Sequence, residues 1–378
     1  MNKQPEEAVI QGRVSKVRNL GGIIFIEILS ANMELSLVCE KDSIESEEFL
    51  KINQIRNNDY CDFIVTSLDN GERRILKVLN HIKKQNDSLW TNEQIDILRA
   101  YAYLLHLLRQ YTFDNGFTEV RLPSIHYGQQ KKDVFALDFF DQPARLTSSN
   151  SLFLNIYTAQ LCKTFSLQKC FRAEPSNTNR HLAEFDLFEI AMINYDLSNC
   201  ISELENIIKF IVSEFSTSDF RSLVQIDTDL ILQSKFPIIE YHQLDEKYNL
   251  VNKGLGKYDR EIASLLPTFV INFPQGIASW MAKPLNDKYA LSFNLLVPIV
   301  GELAEGNEKQ TNRELLLKKF ELANVEAQLG WYTNMMPYSD YTLSGFGLGV
   351  ERLLMWIMGL KNIRQINPVY RDTQFSEI

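Results

Sequence analysis

No apolar run in the 378-residue sequence approaches the roughly 20 residues a helix needs to cross a bilayer. The start, MNKQPEEAVI, lacks the basic-then-apolar order of a secretory leader, so a cytoplasmic location is expected. Among the five cysteines, Cys39, Cys61, Cys162, Cys170 and Cys200, there is no CxxC pair. Such scattered thiols exclude a disulfide framework and a cysteine-built zinc site, and suit reduced side chains. Positive charge is in deficit, with 39 Lys+Arg against 48 Asp+Glu for a net charge of -9. That argues against coating of DNA, yet leaves room for a local basic groove facing phosphate. Internal repeats and low-complexity tracts are missing too. What is present is 45% hydrophobic content over this length, more than one ordinary core, so two domains are expected.

The chain has one clear seam. From Val9 to about Leu79, the strand-like runs VIQGRVSKV, GGIIFIEIL, ELSLVCE, YCDFIVTSL and RRILKVL are separated by turns such as NLGG and LDNGE. Five such runs predict a small β-barrel. HIKKQNDSLW reads as a polar linker, and Thr91 with Gln94 as a capping box that opens a helix. Leu98, Tyr101, Leu105 and Leu108 recur at helical spacing and predict its buried stripe. Farther on, strands and helices mix without steady alternation, which points to an α+β domain on an antiparallel sheet. The expected domains are residues 1–85 and 86–378.

Two stretches in the second domain carry chemistry. In FRAEPSNTNRHLAEF, residues 171–185, the polar middle is expected to be a loop between two antiparallel strands, because KCFRAE and EFDLFEIAMI both have strand character. The period of two puts Arg172 and Glu174 on one face, with Phe185 at the return. A cation, an acceptor and an aromatic plate suit a phosphorylated, stacked ligand; the plain alternative is a solvated hairpin tip. In SGFGLGVERLLMWIMGLKNIR, residues 344–364, the glycines follow GxGxG rather than the dinucleotide fingerprint GxGxxG, and no βαβ unit surrounds them. Glu351 and Arg352 follow directly at the start of an apolar helix. The glycines allow close backbone approach and deliver the arginine to a pocket floor.

These two stretches resemble motifs 2 and 3 of class II aminoacyl-tRNA synthetases, in the form seen in the asparaginyl enzymes. NGFTEVRLPSI, with Gly116 and Pro123, is similar to motif 1, which builds the homodimer interface in that family. The N-terminal strands resemble the family's OB-fold anticodon-binding barrel. The resemblance implies an ATP-dependent, AMP-forming ligase that takes a carboxylic or amino acid, with tRNA as a further partner and no DNA or membrane. Arg172 would bridge the substrate carboxylate and the α-phosphate of ATP, and Phe185 would stack on adenine. Glu174 would lie beside the substrate or adenine, and Arg180 and His181 would meet the outer phosphates. Arg352 would cover the other face of adenine or pair with the γ-phosphate, and Glu302 would hold Mg2+. Adenylation needs these types, since two anions meet at the α-phosphorus and an already ionised carboxylate requires no general base.

Departures from the family cluster on the acid side, where the expected pocket residues are Lys131, Ser149, Ser151, Glu174 and Lys309. Gln129, Gln130, Lys131 and Lys132 stand where the family has a glutamate that anchors the substrate ammonium, and a lysine would repel that ammonium. Ser149-Asn150-Ser151 replaces an SGQ segment, and Asn294 replaces an aspartate beside the magnesium glutamate. Lys309 occupies the place of an arginine that contacts the substrate side chain, losing the planar fork. Thr342 and Leu343 stand in the family's PHSGFG, and in the barrel Ser36 replaces a base-reading glutamine near Phe25, itself either a stacking surface or barrel core. The favoured expectation is a paralogue that adenylates a different acid and passes it to an amine, ammonia, a carrier or tRNA. The alternative is an asparaginyl-tRNA synthetase; an inactive tRNA-binding regulator is disfavoured because it would not need Arg172, Glu302 and Arg352 together.

Overall fold

The computed structural model describes residues 7–30, 33–68, 71–83, 91–127, 133–176, 178–251, 253–322, 326–336 and 340–374. The chain forms two compact units, Met1–Glu93 and Gln94–Ile378. In the first, β1 (Glu7–Asn19), β2 (Ile23–Ser30), β3 (Met33–Glu40), β4 (Tyr60–Ser67) and β5 (Arg73–Ile82) close a barrel in the order β1-β2-β3-β5-β4. Helix α1 (Ser46–Asn53) lies between β3 and β4 in sequence. Strict alternation turns Ile24, Ile26 and Ile28 inward with Val14, Phe63 and Ile75. Phe25 falls on the opposite face and stays half-buried, so it is not barrel core, and Ser36 is exposed.

The second unit contains α2 (Asn92–Asp114), β6 (Thr118–Glu119), β7 (Ile125–Tyr127), β8 (Ala136–Phe139), β9 (Gln142–Leu146), α3 (Ser151–Leu161), β10 (Lys163–Phe171) and β11 (Glu184–Ile193). There follow α4 (Leu197–Thr217), α5 (Thr228–Gln233), β12 (Ile238–Glu240), α6 (Tyr241–Tyr248), α7 (Asp259–Ile262), β13 (Thr268–Ile271), β14 (Ser292–Val297) and β15 (Gly301–Glu308). The last elements are α8 (Arg313–Leu322), α9 (Glu326–Met335), β16 (Leu343–Gly349) and α10 (Val350–Ile357). Eight strands make one sheet in the order β12-β13-β14-β15-β16-β11-β10-β6. Only the edge pairs β12·β13 and β10·β6 are parallel, so the α+β class on an antiparallel sheet holds. A separate sheet has the order β7-β9-β8.

One face of the large sheet is covered by helices. Phe188, Ile190 and Met192 of β11 join Leu104 and Leu108 of α2 and Leu204, Ile208 and Ile211 of α4 in a single apolar core. Each such side chain contributes about 1.5–3 kcal/mol on burial. Helix α4 starts where Asp196 accepts from the Asn199 backbone N–H, with Asn199 reciprocating in a capping box. On α2 the buried stripe runs through Ile97, Ala100, Leu104, Leu107 and Leu108, one residue off the predicted one; Leu98, Tyr101 and Leu105 are half-buried. The apolar arc is wide enough that the sequence spacing fits two adjacent stripes. The opposite face of β11, set by the period of two, presents Phe185, Leu187 and Glu189. That face lines the pocket.

Candidate active site

A cavity of about 370 Å³ lies over this face, lined by β11, β15, β16, the loop after β10 and the start of α3. A second cavity of about 290 Å³ shares Arg180, His181, Glu302, Glu305 and Arg352 with it. The β10–β11 hairpin is fixed by antiparallel register from Lys163↔Met192 to Phe171↔Glu184. Arg172 and Glu174 lie just past the strand end rather than within it, because the hairpin opens there; one more bond, Arg172 N–H to Ala183 O at 2.9 Å, holds its base. Both residues still line the cavity. The Arg172 guanidinium sits 5.3 Å over the ring of Phe185, a cation–π contact that presets its direction.

The remaining arginines are held by the protein itself. Arg180 Nη1 donates to Asp259 Oδ2 at 2.5 Å and to Val300 O at 2.6 Å. Room for that pair exists because Gly301, at φ 83°, has no side chain; a Cβ there would come within 2.4 Å of both Arg180 Nη1 and Asp259 Oδ2. Arg352 Nη1 donates to Glu302 O at 2.9 Å and lies 3.7 Å from Glu302 Oε1. It is placed as expected, two residues into α10 behind the glycine strand. Its neighbour Glu351 points elsewhere: its carboxylate accepts from the Asp186 backbone N–H at 2.9 and 3.1 Å. Burial and the Asp186 carboxylate push Glu351 up to about 7. Burial, then Arg352, Arg180, Arg172 and Arg364, lower His181 to about 4, so near neutral pH it is a neutral imidazole.

The other end of the cavity is built from buried polar groups. Glu189 is 2% exposed and accepts from Ser149 Oγ at 2.6 Å and from the Asn150 N–H at 2.7 Å. Ser149 Oγ, its one proton given to Glu189, accepts from Ser151 Oγ at 3.2 Å. The SNS segment therefore serves Glu189 first. Lys309 is 6% exposed, lines the cavity, and its Nζ has no hydrogen bond or ion pair among the described residues; burial lowers its pKa. Two residues before it, Asn307 is buried with Oδ1 lacking a donor. Glu305 faces the open cavity, and burial followed by the Glu302 charge raises its pKa. Asn294 Nδ2 donates to Glu302 Oε2 at 2.8 Å.

The sequence matches the family described as tRNA synthetases class II (D, K and N) over residues 81–371. The asparagine–tRNA ligase of Mycoplasma mycoides is 32% identical over 78% of this chain and 74% of its own length. That of Thermoplasma acidophilum is 25% identical over 96% of this chain and 94% of its own. The chain belongs to the class II aminoacyl-tRNA synthetases. The fold agrees: an asparaginyl-tRNA synthetase of Pyrococcus horikoshii, solved with asparaginyl-adenylate, superposes with a TM-score of 0.84 at 23% identity, covering 98% of this chain and 95% of that one. An aspartyl enzyme of Entamoeba histolytica gives 0.72 at 19% identity, covering 98% and 89%.

For this class II synthetase, one cavity brings together Arg172, Glu174, Arg180, His181, Phe185, Glu302, Arg352, Ser149, Ser151 and Lys309. Asn294 lines the adjoining one. Lys131, with Gln129, Gln130 and Lys132, lies outside the described residues. Sequence reasoning missed Glu189, Glu305, Asn307 and Asp259. The signal for Glu189 was a lone carboxylate inside the apolar run LFEIAMI, four residues after Phe185 and so on the same strand face. Asp259 carried no signal, since it meets Arg180 across 79 residues of sequence.

Proposed function

We propose that this enzyme activates asparagine with ATP and transfers it to tRNA. The observation that carries the acid is the pair in the cavity lining formed by Lys309 Nζ, a donor, and Asn307 Oδ1, an acceptor, both on buried residues and without a partner among the described residues. A side-chain carboxamide satisfies both at once, its oxygen meeting Lys309 Nζ and its N–H meeting Asn307 Oδ1. A carboxylate brings only acceptors and leaves Asn307 Oδ1 without a donor, a loss of about 1–3 kcal/mol. The curated relatives support the same acid.

In the first step the α-carboxylate attacks the α-phosphorus, the bond to the bridging oxygen breaks, and pyrophosphate leaves. Arg172 neutralises charge that develops where the two anions meet, and Phe185 stacks the adenine. In the second step a ribose hydroxyl at the tRNA end attacks the acyl carbon and AMP departs. Glu302 and Asn294 offer oxygen ligands, a donor set that fits Mg2+; the bound ion would draw charge from the phosphates. In this reading residues 1–85 form an anticodon-binding domain, with outward Phe25 free to stack a base, and residues 86–378 form the catalytic domain. The enzyme works in the cytoplasm as a homodimer through the region of Gly116 and Pro123, which sedimentation at twice the chain mass checks.

A second reading keeps the adenylation and changes the acid. Ser149 and Ser151 are engaged with Glu189 and with each other, and a desolvated Lys309 would also hold an anionic or N-modified acid. Pyrophosphate exchange with asparagine, aspartate and their des-amino and N-acyl analogues separates the two. Asparagine turning over best and charging tRNA supports the first reading. A des-amino or N-acyl acid turning over best overturns it.

A further inference from the structure

Glu302 has little negative charge to spare. Oε2 accepts from Asn294 and Oε1 faces the Arg352 guanidinium at 3.7 Å, so one carboxylate is already balanced by one arginine. Arg180 is likewise balanced by Asp259. A divalent cation brought in with a triphosphate would find at Asn294 a neutral ligand and no second anion. The sheet supplies one directly opposite. Asn294 of β14 and Glu305 of β15 are cross-strand partners, and in an antiparallel pair such residues share a face with Cβ atoms about 4.5–5.5 Å apart. Glu305 lines the same two cavities as Glu302. Its carboxylate forms no hydrogen bond or ion pair among the described residues.

We propose that Glu305 supplies the second carboxylate for the divalent cation, so that the charge absent from position 294 is provided from the facing strand. The inference rests on the adenylation reading. Asn294, Glu302 and Glu305 offer oxygen only, which suits Mg2+ or Mn2+ over softer metals. No group of three His, Cys, Asp or Glu side chains able to hold a metal occurs among the described residues. Two carboxylates with an amide form an incomplete shell, and Mg2+ is commonly held by one or two carboxylates together with substrate phosphates. The cation would therefore arrive with ATP.

Mn2+ binding, followed by electron paramagnetic resonance in the presence of α,β-methylene-ATP, tests this in four proteins: wild type, Glu305→Gln, Asn294→Asp, and the double variant. Glu305→Gln should weaken Mn2+ by roughly 10- to 100-fold, as loss of a metal-supporting group does. Adding Asn294→Asp to it should restore most of the loss, which also shows that the variant is folded. Unchanged Mn2+ affinity in Glu305→Gln overturns the proposal, as does failure of the double variant to recover. A rise confined to the KM of the acid overturns it too, because Glu305 would then be an ammonium anchor. Nucleotide binding by the wild type, read separately with a fluorescent ATP analogue without metal, reports on the adenylation reading itself.

Discussion

The two ends of the cavity treat their charges in opposite ways. At the end proposed for the nucleotide, Arg172, Arg180 and Arg352 each already have a protein partner: Arg172 lies over Phe185, Arg180 is clamped by Asp259 and Val300, and Arg352 leans on Glu302. At the end proposed for the acid, Lys309 and Asn307 Oδ1 are buried with no partner among the described residues. The difference teaches where selectivity resides. Groups held by the protein cost little reorganisation when a common ligand arrives, which suits ATP. Groups left unpaired are satisfied only by an acid of the right pattern, and a wrong one leaves them buried and bare.

The largest effect should come from breaking the nucleotide end. Arg172→Ala removes the cation proposed to meet the reacting anions and its contact with Phe185. Pyrophosphate exchange should fall by on the order of 10² to 10³ or more with every acid. An equal loss across acids marks the nucleotide end, whereas a loss that depends on the acid would place Arg172 in the selective half.

At the acid end, Lys309→Met keeps the length of the side chain and removes the charge. KM for the acid should rise about 10- to 100-fold, matching the roughly 1.5–3 kcal/mol of a hydrogen bond to a charged group. Stability should not fall, since a buried, unpaired ammonium is itself costly. The pH dependence supplies the sign. Burial depresses the folded pKa of Lys309, so the unfolded chain holds its proton more tightly, and wild-type stability should gain as pH rises between the folded value and 10.5. The methionine variant should lack that gain in urea titrations.

The same division decided how much the sequence disclosed. The barrel runs, the β10–β11 hairpin and the glycine strand entering α10 were legible because each is local, set by alternation and turn residues. That Arg172, Arg180, His181, Phe185 and Arg352 would share one cavity was legible because they lie inside two short motifs. Glu305 was not, because its meaning comes from the register that sets it against Asn294, and neither was Asp259, brought to Arg180 by chain return. The departures at Ser149, Ser151 and Lys309 were visible as substitutions. That Ser149 is spent on Glu189, and that Lys309 is without a partner among the described residues, depends on packing, which no spacing encodes.

A subtler break of the nucleotide end is Gly301→Ala. The residue sits at φ 83°, and its Cβ would press on both members of the Arg180–Asp259 pair. Left-handed backbone at a non-glycine residue costs about 1–3 kcal/mol, before any clash. The urea midpoint should fall accordingly with an unchanged slope, and ATP affinity should drop with it. Unaltered ATP affinity in a destabilised variant would show that the clamp serves the fold alone.

The smallest effect is also the most specific. In the free enzyme His181 is depressed to about 4, first by burial and then by the arginines around it. A histidine lowered in the folded state stabilises nothing by protonation; folding stability instead declines as pH falls from about 6.5 towards 4 and levels off below. A triphosphate would reverse the local field, since its anions neutralise those arginines and favour the imidazolium. ATP binding should then take up a proton at His181, and by linkage ATP should bind more tightly at pH 5 than at pH 7. The nucleotide's own terminal phosphate titrates in part of this range, so the comparison is with His181→Gln, which should lose the difference that belongs to the histidine. Nuclear magnetic resonance of the His181 ring, with and without ATP, reads the shift directly. An upward move of the titration places His181 at the phosphates, and an identical curve in both states removes it from the nucleotide end.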